Sequence, residues 1–158
     1  MTLLIKLCTS MTALMMNHIF SPHIMISYQR DVQPQVLQIR DALKAAGYRI
    51  WIDVENMHTS LSIVDSMIKA VDNAAVVIPV LTAKYQTSAN CRKELEYADK
   101  QGKPIVPIRL QRDYIPKEWL SFVLGNNFWH DLYQDPLYSS KLEAFLEVVH
   151  AHASSAKI

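Results

Sequence analysis

Eight consecutive residues, Ala74, Ala75, Val76, Val77, Ile78, Pro79, Val80 and Leu81, carry no polar side chain. A strand with one face in water alternates apolar and polar residues, so a strand-length run that is apolar throughout must be covered on both faces. Parallel sheets meet that demand, because the crossover helices that join their strands lie on both sides. Pro79 has no N–H to give to a ladder, which places it toward the C-terminal end of the strand.

The flanking sequence supplies those helices. Residues 23–27 form a short apolar strand, and Asp31 and Pro34 open a helix with Val36, Ile39, Leu43 and Ala46 on one face, closed by Gly47. Residues 48–52, rich in aromatic and β-branched side chains, read as a second strand ended by Asp53, and residues 54–61 as a surface loop. Ser62 and Asp65 match a capping box, ahead of a stripe of Val64, Met67, Ile68 and Val71. Past the central run comes a helix over residues 88–101, with Gly102 beyond its end. A fourth strand follows at residues 104–108, its two prolines placing it toward an edge. A short helix over 116–124 and a fifth strand at 127–129 come next. Asp135 and Pro136 then start a last helix with Tyr138, Leu142, Phe145 and Val149 as its buried face. A β–α alternation repeated five times predicts a three-layer α/β sandwich around a five-stranded parallel sheet.

At 158 residues there is room for one domain, expected over residues 21–152. The tail, residues 153–158, is expected to be disordered. Residues 1–20 read as a leader that is disordered or weakly docked. Polar interruptions at Lys6, Thr9, Ser10, Thr12 and Asn17 suit neither a spanning helix nor a signal peptide, so a membrane role is disfavoured. A net charge of +1 with scattered basic residues argues against nucleic acid as partner. Cys8 and Cys91 make no disulfide or zinc pattern, which fits a reducing, cytoplasmic setting, and the six histidines show no metal-ligand spacing. The three glycines (47, 102 and 125) fall at element ends, so no phosphate-cradling loop of the dinucleotide-fold or P-loop type is present. A phosphoacceptor receiver would want acids at the end of the first strand, and residues 23–28 contain none.

In an open parallel sheet, ligands bind outside the carboxyl ends of the strands. Those ends here bear Ser27, Tyr28, Gln29 and Arg30, then Trp51, Asp53, Val54 and Glu55, then Leu81 and Thr82, then the helix that presents Asn90 and Glu94. The set suits a charged, ring-containing molecule. Four segments in order, Ile26-Ser27-Tyr28, Trp51-Ile52-Asp53-Val54-Glu55, Cys91-Arg92-Lys93-Glu94 and Lys103-Pro104-Ile105-Val106-Pro107-Ile108, together resemble the Toll/interleukin-1 receptor (TIR) domain family. The likeness covers about residues 23–150 and is nearest in pattern to the branch that cleaves NAD+.

The resemblance implies a flavodoxin-like sheet and a signalling module, in signal transduction or innate immunity, that associates with itself or with other TIR domains. It puts the contact surface on the loop after the second strand, here Glu55, Asn56, Met57 and His58. It also implies hydrolysis of NAD+ with release of nicotinamide, Glu94 standing at the family's catalytic glutamate. NAD+ would be substrate, with no bound cofactor and no metal. Tyr28 and Trp51 would give ring contacts and Arg30 a phosphate contact, with Gln29, Asp53 and Asn90 completing the binding set. At Asn90, one turn before Glu94, the enzyme branch often carries tryptophan, and an asparagine there can also cap the helix. A catalytically silent scaffold is the alternative. Cys91 reads as a small buried residue on the stripe of Leu95 and Ala98 rather than as a nucleophile.

Overall fold

The computed structural model describes residues 21–56 and 62–158. Five parallel strands stand in the order β2-β1-β3-β4-β5: β1 His23–Ser27, β2 Ile50–Trp51, β3 Ala74–Leu81, β4 Ile108–Arg109 and β5 His130–Asp131. The helices of the described residues are α1 Gln33–Ala45, α2 Asp53–Asn56, α3 Ile63–Asp72, α4 Ala83–Thr87, α5 Ala89–Lys100, α6 Glu118–Leu124 and α7 Tyr138–His152. This is the α/β architecture with a five-stranded parallel sheet that the strand–helix alternation predicts, in the flavodoxin-like form that the family resemblance implies.

The central run lies at the middle of the sheet, and its period of two sorts the core. Val76, Ile78 and Val80, with Ile24 and Ile26 of β1, pack against Val36, Ile39 and Leu43 of α1 and Phe145 and Val149 of α7. Val77 and Leu81, with Met25 of β1, face Ala70 and Val71 of α3, Leu95 and Ala98 of α5, and Leu120 and Leu124 of α6. Both faces are dry, as an all-apolar strand requires.

Pro79 is opposite Ser27 of β1. The Val77 N–H bonds the Pro104 carbonyl at 2.9 Å, and two residues on, the donor missing at Pro79 faces the same neighbour. The ladder to β4 is accordingly broken: one bridge joins Val77 to Ile105, and pairing resumes at Val80 with Ile108. Residues 104–108 are therefore not a continuous strand, and β4 is not at the edge, because β5 pairs outside it. The fifth strand also falls just after residues 127–129, and residues 54–56, expected as the start of a loop, close one short helical turn with Asp53.

Two further expectations are corrected. The last six residues are not a disordered tail. A 3-10 turn, Ser154–Ala156, buries Ala153 and Ala156, and the Arg49 N–H bonds the Ala156 carbonyl at 2.9 Å. The Ile158 N–H then reaches the Gly47 carbonyl at 2.8 Å. The outer edge of β2 would otherwise leave backbone groups open, and the tail's alanines are small enough to close over it. The stripe of α3 is also rotated from the expected one. Ser66, Ala70 and Val71 are its buried residues, while Ile63, Val64 and Ile68 stay exposed. Small side chains let the helix approach the sheet closely, which turns its larger aliphatic residues outward.

Candidate active site

Three elements meet beyond the C-terminal end of β1. Ser27 ends the strand, Tyr85 comes from α4 and Glu94 from the second turn of α5. Each helix is started by a hydroxyl that accepts a backbone N–H: Thr82 from Tyr85 at 3.1 Å, and Ser88 from Cys91 at 3.2 Å. The cap of α5 is therefore Ser88, and Asn90 is left within the first turn. With the helix start set, Glu94 lies over the end of β1. The Ser27 hydroxyl donates to Glu94 Oε2 at 2.7 Å, and Ser27 Oγ and the Tyr85 hydroxyl are 2.9 Å apart.

Glu94 borders a cavity of about 620 Å³. One wall is polar, with Tyr28, Gln29, Arg30 and Asp53 from the ends of β1 and β2. Facing it along α5 are Asn90, Cys91, Lys93, Glu94 and Tyr97. The other wall is the aliphatic side of α3, including Ile63, Val64 and Met67. A space with one apolar wall and a few convergent polar groups suits a small molecule with a ring and charged ends.

Burial pushes the Glu94 carboxyl up to about 7, aided by the charge of Asp53 and opposed by the Ser27 hydrogen bond. Near neutrality the group is divided between acid and carboxylate. Arg30 reaches Asp53 at 3.6 Å, its own side chain 73% exposed. Burial and the neighbouring Asp53 push the Tyr28 hydroxyl up, so it remains protonated. Burial also pushes the Cys91 thiol up, against hydrogen bonds from Ser88 and Gln29, and its sulfur is 3.3 Å from Gln29 Nε2. A buried, protonated thiol is a poor nucleophile, which supports the packing role for Cys91.

Of the binding residues anticipated from sequence, Tyr28, Gln29, Arg30, Asp53 and Asn90 share this cavity with Glu94. Trp51 stands apart: its ring stacks on His23 at 6.4 Å between centroids and is not on the cavity wall. Glu55 is ion-paired to Arg40 and Lys44 of α1, and Asn56 ends α2. Met57 and His58 lie outside the described residues. Tyr85 and the α3 wall are not among the expected site residues, and Ser27, expected at the strand end, carries no expected role. A serine closing an apolar strand is the one local signal that pointed at Ser27, since a buried hydroxyl demands a partner. Among the described residues no cluster of three or more His, Cys, Asp or Glu side chains could hold a metal, and no helix is long and apolar enough to cross a membrane.

Comparison with known proteins places these features in context. The family model described as TIR domain matches residues 24–147. The TIR domain of the Toll-related receptor TRR-2 from Hydra magnipapillata superposes with a TM-score of 0.68 at 15% identity, covering 80% of this chain and 97% of that one. The TIR domains of the activated Roq1 resistosome, which directly recognises the pathogen effector XopQ, superpose with a TM-score of 0.61 at 17% identity, covering 80% and 98%. No curated relative matches the sequence.

Proposed function

The chain belongs to the TIR domain family, and from that premise we propose that it is a cytoplasmic signalling module that cleaves NAD+ at the nicotinamide–ribose bond with Glu94 as catalytic carboxylate. The observation that carries this reading is Glu94 itself, a half-buried carboxyl raised to about 7 by burial, held by Ser27 and bordering a cavity large enough for a nucleotide.

The chemistry asks little more of the protein. When the bond from ribose C1′ to the pyridinium nitrogen breaks, its electron pair stays on nitrogen and nicotinamide leaves neutral, without needing a proton. Positive charge develops at C1′ and the ring oxygen of the ribose, and an ionised Glu94 stabilises it. Water then adds to C1′ and gives its proton to the carboxylate, yielding ADP-ribose. Arg30, mostly exposed at the mouth, offers a phosphate contact. With no tryptophan at Asn90, the α3 wall is the apolar surface left for a ring.

Purified protein at high concentration or on a clustering scaffold is expected to release nicotinamide from NAD+, and Glu94→Ala to lower that rate by at least about a hundredfold, as loss of a charge-stabilising group does. Nicotinamide is followed by chromatography. Release no greater than that of the variant leaves the module as a silent scaffold.

Association with other TIR domains, through self-contact or an adaptor, is the signalling half of the reading. The related Roq1 TIR domains were solved within a resistosome. The proposed contact is the segment of Glu55, Asn56, Met57 and His58. Its first residue is anchored to α1 by Arg40 and Lys44, which gives the segment a fixed base. Met57→Asp with His58→Glu is expected to abolish self-association in light scattering while the thermal midpoint stays within about 2 °C, as for surface changes generally. Persisting assembly would move the contact elsewhere.

A further inference from the structure

Ser27 and Tyr85 are buried, yet neither is among the residues that line the cavity. Both can touch the chemistry only through Glu94. A serine hydroxyl has one proton. With that proton given to Glu94 Oε2 at 2.7 Å, the 2.9 Å contact between Ser27 and Tyr85 must be made by the tyrosine's proton. The polarity of the chain is thereby set: Tyr85 donates to Ser27, and Ser27 donates to Glu94. Each member is fixed independently. Ser27 is held in register opposite Pro79, Tyr85 by the Thr82 cap of α4, and Glu94 by the Ser88 cap of α5.

We propose that Ser27 and Tyr85 are positioning residues that act as a relay on Glu94, fixing Oε2, leaving Oε1 to meet the ligand, and favouring the ionised carboxylate. The proposal rests on the reading of Glu94 as the group that faces the reacting ribose. A hydrogen bond donated to the charged form of an acid favours that form, and a donor behind the donor strengthens it. The relay works against two opposing influences, burial and the negative charge of Asp53 from α2. From α5 the Cys91 thiol is neutral, and Lys93 and Tyr97 share the cavity wall. The Arg30 guanidinium is paired to Asp53, and α3 brings aliphatic side chains to the cavity.

The test needs no turnover. In protein labelled with glutamate carrying carboxyl ¹³C, the Glu94 resonance is assigned by its loss in Glu94→Gln, and its midpoint is read from a pH titration. Ser27→Ala is expected to raise the midpoint by about one pH unit, the scale of one hydrogen bond to a charged group. Tyr85→Phe, which keeps the buried ring and removes only the hydroxyl, should raise it by less. For nicotinamide release, kcat/KM of Ser27→Ala at pH 7 should fall about fivefold and return toward the wild-type value by pH 9. A merely structural defect would depress the rate at every pH. An unchanged or lowered midpoint in Ser27→Ala overturns the proposal, and an unchanged midpoint in Tyr85→Phe, which also covers a Ser27→Ala that fails to fold, breaks the relay at its outer link. If the midpoints shift as expected but wild-type protein releases no nicotinamide, the relay stands and the enzymatic reading falls.

Discussion

Glu94→Gln is expected to raise the thermal midpoint at pH 8 and to leave it nearly unchanged at pH 4.5. The folded carboxyl is raised from 4.5 to about 7. Below 4.5 both folded and unfolded chains hold the proton, and the group has no effect on stability. Between 4.5 and about 7 the unfolded chain ionises while the folded one resists, so stability falls as pH rises; above about 7 the whole cost is present. At about 1.4 kcal/mol per pH unit the cost is at most about 3 kcal/mol. Glutamine keeps the acceptor for Ser27 and has no charge to desolvate, so it relieves that cost. For a domain of this size the gain corresponds to about 6–10 °C at pH 8. Calorimetry of both proteins at pH 4.5, 6 and 8 reads it. A variant less stable than wild type at pH 8 would mean that the ionised carboxylate is well compensated where it sits. The expected combination, greater stability with activity lost, is the mark of a group kept at a cost to the fold.

The second large effect lies on the opposite face of the sheet. Phe145→Ala should lower stability by about 3–5 kcal/mol, the cost of emptying a large site in a close-packed core. Phe145 is fully buried among residues of α1, α7 and β3, and its ring meets His130 edge-on at 5.5 Å. Urea denaturation should show a lower midpoint at an unchanged slope. Glu94 belongs to the other layer, so its titration should be the same in Phe145→Ala as in wild type. A shifted Glu94 midpoint would show that the sheet transmits packing changes between its faces.

The layers of the fold were legible because they depend on period and polarity. Val36, Ile39 and Leu43 share a face at any helix phase, and Phe145 and Val149 do likewise. Boundaries were less legible where proline intervened: the pairing of residues 104–108 depended on which neighbour the missing donor of Pro79 would face. In α3 the expected stripe of Val64, Met67, Ile68 and Val71 keeps only Val71 among its buried residues, because close approach to the sheet favours the small Ser66 and Ala70 beside it. The tail looked free because Ala153 and Ala156 carry little apolar surface, and its docking comes from the open edge of β2.

At the site, residue order alone brought Tyr28, Gln29, Arg30, Asp53 and Glu94 to one end of the sheet, since a parallel sheet gathers the ends of its strands. Sequence by itself determined the layered parallel architecture and the family, which follow from local pattern and from the order of four motifs, and the family resemblance then singled out Glu94 as the candidate carboxylate. The tertiary structure alone decided what surrounds that carboxylate. Ser27, Tyr85 and Glu94 are separated by as many as 67 positions, and no local pattern encodes a 2.7 Å contact across such a distance. Desolvation and hydrogen bonding depend on which side chains fill the same few cubic ångströms, a property of packing between elements rather than of any one segment.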